Sequence, residues 1–376
     1  MATPIADRGP RILVINAGSS SVKFAVFRAG AALQELSRGK IEHAGAPGNV
    51  LAQLEAAGAF VDLLGIGHRL VHGGPHHTTP AVVTPDLLSD LEQLKPLDPT
   101  HLPAELALID AVAARCPAVP QVVCFDTAFH RDLPPVARTL PIPRRYLAQG
   151  IRRYGFHGIS YQYLLEELER VAGAEAARGR VIFAHLGAGA SLAAVRNGKC
   201  VDTTMSFTPT GGLVMGTRTG DLDPGVLVHL LRTEKLTAEQ LDALVNRESG
   251  LLGLSETSSD VRELLAREGT DPRAAKAVGV FCYQARKWIG ALAAGLGGLD
   301  TLVFAGGIGE NSPDIRTRIC SGLSFFGVQL ATEANATGAA VISSQIAPVV
   351  VRVIRTNEEV MIARTVQRLV PDRPPN

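Results

Sequence analysis

The segment Arg11–Phe27, RILVINAGSSSVKFAVF, decides the fold. An apolar run ends at Asn16, Gly18 and three serines make a tight polar turn, and an alternating run follows. That is the pattern of strand, turn and strand. The layout returns at Val181–Val195, VIFAHLGAGASLAAV, followed by a turn signal at Asn197-Gly198. Asn16 then aligns with His185, and Gly18 with Gly187. A single recurrence ~170 residues on signifies duplicated domains rather than a solenoid of short repeats. Each turn presents backbone N–H and hydroxyl groups able to cradle phosphate.

The chain has 376 residues, more than one hydrophobic core usually serves, so two domains are expected. With 46% hydrophobic and 19% charged residues the composition is that of an ordinary soluble globular protein. A net charge of +1 argues against nucleic acid or an anionic membrane as the main partner, while leaving room for a local basic pocket. Cys116, Cys124, Cys200, Cys282 and Cys320 form no CxxC pair and read as buried or reduced thiols of a cytosolic protein. The start MATPIADRGP lacks a signal-peptide pattern, and no run approaches the ~18 apolar residues of a membrane span. A cytoplasmic location is expected.

Between the two copies, GIGHRLVHGG (Gly65–Gly74) reads as a strand with His68 and His72 on one face and Arg69 on the other. His72, His76 and His77 lack companion ligands at metal spacing and read as solvated. Asp98-Pro99 and Thr100 start a helix over His101–Arg115, and a buried strand Val122–Phe125 ends in Asp126-Thr127. An Asp at a strand end in an α/β chain is well placed for a site, or else forms a turn or cap. The stretch RRYLAQGIRRYGFHG (Arg144–Gly158) is basic and aromatic, but the overall charge disfavours RNA. His157 stands before an amphipathic helix capped by Ser160, in a field that favours neutral imidazole and a nearby anion.

Downstream, Asp223-Pro224 and a Thr237/Gln240 capping box open two helices. Asp271-Pro272 opens a helix reaching Leu296 that is apolar nearly all round, as for deep burial or a subunit interface. The stretch TLVFAGGIGENSPDIR (Thr301–Arg316) joins a buried strand, a glycine loop and a helix start, the makings of a phosphate or nucleotide site. Val349–Ile354 is a last strand, Thr356–Glu359 caps the last helix, and the tail PDRPPN is expected to be disordered.

Thr208–Pro224, TPTGGLVMGTRTGDLDP, carries Gly211, Gly212, Gly216 and Gly220 around Thr217, Arg218 and Thr219. It reads either as a surface loop with one solvated arginine or as backbone that approaches a ligand, with Arg218 offering a planar fork to carboxylate or phosphate. Several glycine or serine turns after strands point to a nucleoside triphosphate, yet no GxxxxGK[ST] or protein-kinase set is present. Phosphoryl transfer needs cations and in-line positioning more than covalent help. Arg69, Arg218 and His157 supply candidates for that field, and Asp126 and Glu358 for organising Mg²⁺.

The strings NAGSSSVKF, GHRLVHGG, FDTAFH, RRYGFHG, HLGAGAS, MGTRTGDLDP, GGIGEN and TNEEVMIA occur in one order, from Asn16 to Ala363. Together they resemble the acetate and propionate kinase family of the actin, sugar kinase and Hsp70 superfamily. The resemblance implies an α/β fold of two duplicated actin/ribonuclease-H-like domains, mixed sheets flanked by helices, with an interdomain active-site cleft. Residues 1–127 with 360–376 would form an N-terminal domain to which the last helix returns, and 128–359 a nucleotide-binding and dimerisation domain. Implied ligands are ATP/ADP with Mg²⁺ (or Mn²⁺) and a short carboxylate, acetate first. The products are acyl phosphate and ADP, made reversibly by a homodimer that uses neither nucleic acid nor membrane.

On matching positions, Arg69 and Arg218 become the cations on carboxylate and phosphoryl, and His157 a further stabiliser. Asp126 and Glu358 fall at the catalytic acid and magnesium positions, and Asn16 positions phosphate beside the metal. Ser20, Lys23, His185, Gly187 and Gly189 match the phosphate-binding turns. Asp260, Val261 and Arg262 match the adenosine segment, with Gly307, Ile308, Gly309 and Asn311 on the same side. Val71, Leu97, Phe156 and Pro209 correspond to the pocket for the acyl methyl. The family pattern PLHNP departs here to Pro96-Leu97-Asp98-Pro99, with His101 three residues on, and the Asn of HLGNG is Ala188. Propionate or butyrate in place of acetate, and a non-catalytic nucleotide-binding module of the same superfold, are the alternatives.

Overall fold

The computed structural model describes residues 9–18, 21–42 and 45–371. Ser20, assigned to the first phosphate turn, and all of the terminal PDRPPN except Pro371 lie outside them. The chain divides into two compact units. The first comprises residues up to Phe129, Gly158–Tyr163 and everything from Asn357 on, and the second His130–His157 and Leu164–Thr356. Relative to boundaries at 127/128 and 359/360, the first unit thus also takes Ala128, Phe129, Gly158–Tyr163 and Asn357–Glu359. Backbone pairing accounts for part of this: Gly158 N donates to Asp126 O at 3.0 Å, so the chain returns to the strand end at that point.

The first unit holds β1 (Arg11–Ala17), β2 (Ser21–Arg28), β3 (Gln34–Glu42), β4 (Leu63–Leu70), β5 (Ala81–Val82) and β6 (Gln121–Phe125), in spatial order β3-β2-β1-β4-β6-β5. Strand β1 pairs antiparallel with β2 and parallel with β4, and β4 pairs parallel with β6. Alternation along β1 feeds two cores. Leu13 and Ile15 pack with α1 (Pro47–Ala56) and α3 (Leu102–Arg115), while Ile12 and Val14 pack with the terminal helix Glu358–Leu369. A third cluster sets α2 (Pro85–Gln93) against α3 and β6. The terminal helix lies so close to β4 that a Cβ on Gly67 would come 2.4 Å from Ile362 Cγ2, so this position admits no side chain.

The second unit holds β7 (Val181–Leu186), β8 (Ala190–Arg196), β9 (Lys199–Thr203), β10 (Thr301–Ala305) and β11 (Val350–Val353), ordered β11-β10-β7-β8-β9. Read from the other edge, β9-β8-β7-β10-β11 repeats β3-β2-β1-β4-β6, with the same antiparallel and parallel pairings. The recurrence seen in sequence is therefore a duplicated mixed sheet.

Four local expectations are corrected. His72 is fully buried, not solvated, and its Nδ1 accepts the Gly74 N–H at 2.8 Å. The helix Pro272–Leu296 is two-faced rather than apolar all round: Phe281, Ala285 and Ile289 are buried while Tyr283 is 61% exposed. His157, not Ser160, occupies the N-cap position of the helix Gly158–Ala172, in the left-handed region at φ 58°. The glycine segment Gly306–Asn311 is a helical turn that leaves β10 directly, not a loop.

Candidate functional site

In the first unit, the predicted residues gather at the carboxyl ends of β1, β4 and β6. Arg69, next to last in β4, places Nε and Nη2 at 3.1 and 2.6 Å from Asp126 Oδ2, and its Nη1 donates to Ala17 O at 2.7 Å. Asp126 is fully buried just past β6, and its N–H is held by Leu70 O. Burial opposes the charge on Arg69, yet Asp126, then Glu358 and Glu105, hold its pKa above the ordinary value, so the guanidinium stays charged. Asn16 donates to Glu358 Oε2 at 2.9 Å and to Glu359 Oε1 at 3.0 Å. The Asn357 side chain caps the terminal helix at Val360 N, which presents both glutamates in its first turn.

Opposite Asn16 in the β1–β2 register stands Lys23, exposed. Val71 is buried and Leu97 half-buried. Asp98 and His101, the departures from the family pattern, form one buried pair: His101 Nδ1 lies 3.0 Å from Asp98 Oδ1, which also accepts the His101 N–H. Burial would raise the pKa of Asp98, but the His101 bonds outweigh it and lower it.

In the second unit, His157, His185, Gly189 and Arg218 converge. The rings of His157 and His185 stack with centroids 4.4 Å apart, and His157 Nδ1 meets Ser191 Oγ at 2.9 Å. A Cβ on Gly189 would lie 3.3 Å from His157 Nε2 and 3.7 Å from Arg218 Nη1. Arg218 Nη1 also donates to Pro209 O at 3.2 Å. The long loop that carries Arg218 is pinned by Gly212 N to Asp221 Oδ1 (2.8 Å), Thr217 Oγ1 to Asn246 O (2.9 Å) and Gly216 N to Ala188 O (3.1 Å). Its Gly220 sits at φ +70° with no room for a Cβ beside Leu213 O. This is a folded loop, not a solvated arginine on a tether. Asp223 caps the next helix through Gly225 N.

Gly187 N donates to Gly189 O, and a Cβ on Gly187 would come 3.9 Å from Gly307 N, so the two glycine turns are neighbours. Gly307 is exposed, Ile308 half-buried and Gly309 buried, and Asn311 Nδ2 donates to Gly307 O. Asp260 caps the helix Val261–Arg267 and pairs with the exposed Arg262, while Val261 is buried. Phe156 is buried, and its carbonyl accepts from His130. The basic stretch before it is scaffold: Arg153 donates to Ala137 O and Thr203 O, and Arg152 stacks on Tyr154.

Three glutamates to which the sequence motifs assign no role act as supports. Glu310 Oε1 accepts from both Gly306 N and Thr356 N, Glu359 shares Asn16, and Glu105 accepts from Val71 N. Among the described residues no group of three or more His, Cys, Asp and Glu could hold a metal by itself. The pair Glu358 and Glu359 beside Asn16 nonetheless fits Mg²⁺, which takes one or two carboxylates and completes its shell with phosphate and water. No helix among the described residues is long and apolar enough to cross a membrane.

The Acetokinase family model matches residues 48–364. A protein of Rhodopseudomonas palustris named acetate kinase is 42% identical over 391 aligned residues, covering 95% of this chain and 98% of that one. The crystal structure of Porphyromonas gingivalis acetate kinase superposes with a TM-score of 0.87 at 34% identity, covering 96% of this chain and 100% of that one. A propionate kinase from Francisella tularensis gives a TM-score of 0.87 at 32% identity, with the same coverage of both chains. With a duplicated mixed sheet, a folded arginine loop and a match along nearly all its length, this chain belongs to the acetokinase family.

Proposed function

We propose that this chain is an acetate kinase that transfers the γ-phosphoryl group of ATP to acetate, reversibly. One acetate oxygen forms a bond to the γ-phosphorus as the bond from that phosphorus to the β,γ-bridging oxygen breaks, leaving acetyl phosphate and ADP. Acetate is already ionised near neutral pH, so no base is required. Asp126 accordingly fixes the Arg69 guanidinium, which faces the carboxylate. Arg218 and His157 face the phosphoryl group, where charge spreads over the equatorial oxygens. Glu358, with Asn16 and Glu359, would hold Mg²⁺. Bound there, the ion neutralises charge on the nucleotide's phosphates.

His185, Gly187 and Gly189 with Gly307 to Asn311 receive the phosphates, and Asp260 to Arg262 the adenosine. Val71, Leu97, Phe156 and Pro209 meet the acyl end. The observation that carries this reading is the meeting of His157 and Arg218 at Gly189, which sets an imidazole and a guanidinium beside a glycine turn. A homodimer in the cytoplasm completes the proposal. Exposed Leu222, Val226, Val228 and Leu231 on and beside the helix Pro224–Thr233 supply apolar surface for a second copy.

ADP release from Mg-ATP with acetate, propionate, butyrate or formate tests the proposal. Acetate is expected to give the highest kcat/KM, with propionate behind it by the ~1–3 kcal/mol that one methylene is worth. Rates equal to the no-acid control with all four acids would refute a carboxylate kinase.

A further inference from the structure

Glu105 has chemistry that the proposed reaction does not use. It lies on α3 within the stripe Leu102, Glu105, Leu106 and Ile109, all buried, where helical spacing demands an apolar side chain. It is 4% exposed. One oxygen, Oε2, accepts the Val71 N–H at 3.0 Å; the other, Oε1, has no hydrogen-bond partner among the described residues. Val71 stands two residues from Arg69, whose guanidinium holds Asp126 and Ala17 O. Glu105 and Ala17 both line a cavity of about 610 Å³ that extends past Gly18, Ser21 and His101. A buried carboxyl with an unmatched oxygen is costly unless something near the site repays it.

The charged groups around Glu105 define what it does. Arg69 comes from β4, Asp126 from the end of β6, and Asp98 with His101 from the start of its own helix. Of the helices packed on α3, α1 turns its Glu55 to Arg115 at the far end, and Asp90 of α2 faces His77. Arg69 acts on Glu105 as a cation and Asp98 and Asp126 as acidic groups, while the imidazoles of His101 and of His72, the residue after Val71, act on Asp98.

We propose that Glu105 is a positioning residue for the carboxylate substrate. Uncharged, it holds the Val71 backbone and leaves the charge of Arg69 to the substrate; ionised, it competes with the substrate for that charge. The inference rests on Arg69 being the substrate's partner. Burial pushes the Glu105 carboxyl up to about 8, with Arg69 and the Val71 N–H pulling the other way, so the switch falls within working pH.

The test is KM for acetate, KM for ATP and kcat in the intact wild-type chain and in Glu105→Gln, from about pH 7 to about pH 9, either side of that value of about 8. In the wild type the acetate KM is expected to rise several-fold across the range while the ATP KM stays level. In Glu105→Gln the acetate KM should remain flat at its low-pH value. A variant that keeps the wild-type rise overturns the inference, as does an equal rise in both KM values. A wild type without acid-dependent ADP release overturns the kinase reading instead. Acetate titration of the ¹⁵N-labelled Val71 amide then decides independently of turnover. The amide should titrate with a midpoint near 8 and report weaker acetate binding above it; an amide that does not move with pH overturns the inference.

Discussion

At the scale of residues, each unit carries its own charge arrangement, Arg69 with Asp126 in the first and Arg218 beside His157 in the second. Asp126 takes two N–H groups of Arg69 on a single oxygen while Ala17 O takes a third, so the guanidinium is fixed before any ligand arrives. Replacing Asp126 with Asn is expected to raise the acetate KM more than the ATP KM, because the arginine loses its counter-charge and its aim; equal effects on both would place Asp126 elsewhere in the reaction. Arg218→Ala is expected to lower kcat/KM by ~10³-fold or more, the usual scale for an arginine that meets a phosphoryl transition state. Unchanged kcat/KM in that variant would return the loop to a structural role. Glu105 interrupts the apolar stripe Leu102, Leu106 and Ile109, but a stripe does not say what lies across from it.

At the scale of elements, β4 and the terminal helix fit closely. Gly67 faces Ile362 and Val366 at 2.4 and 2.7 Å from where its Cβ would be. Gly67→Val should destabilise the first unit by at least the ~1–3 kcal/mol typical of overpacking, and by displacing the Glu358–Leu369 helix it should also disturb Glu358. Urea unfolding with an assay of Mg²⁺ dependence checks both; a stable variant with normal metal dependence would show that the helix shifts freely. The strands, the Asp223 and Asp271 caps and the Thr237/Gln240 box were legible because each is local chemistry of neighbouring residues. The glycine turn after β10 was not, because it is held from outside its own segment, Glu310 bridging Gly306 N and Thr356 N just past a later strand.

At the scale of the whole molecule, the two units should answer pH differently. His68 in the first unit and His130 in the second are buried neutral, each with its pKa lowered to about 4 by desolvation. His68 Nε2 meets Gln121 Oε1 and His130 Nε2 meets Phe156 O. As pH falls from 6.5 to about 4 the unfolded chain binds these protons first, so each histidine costs about 1.4 kcal/mol of stability per pH unit. Glu105 acts in reverse: between 4.5 and about 8 the native state keeps a proton that the unfolded chain has lost, so stability falls as pH rises. In the first unit the slopes of His68 and Glu105 cancel from 4.5 to 6.5, leaving a decline from 6.5 to about 8. In the second unit His130 should instead weaken stability as pH falls below 6.5, offset in part by Asp202, whose pKa burial raises. Calorimetry that resolves two transitions checks this, and transitions that shift together with pH would refute it.

The sequence alone determined the duplicated strand–turn–strand frame, the order of the site motifs and the residue types able to hold phosphate and carboxylate, since these depend on spacing and local backbone chemistry. Tertiary structure decided which of those residues meet. Asp126 comes to Arg69 across 57 positions, Asn16 to Glu358 across 342, and Glu105 to the Val71 backbone across 34. It also decided that His72 and the Asp98–His101 pair are buried. Burial and partnership are properties of packing against distant chain, and no periodicity within one segment contains them.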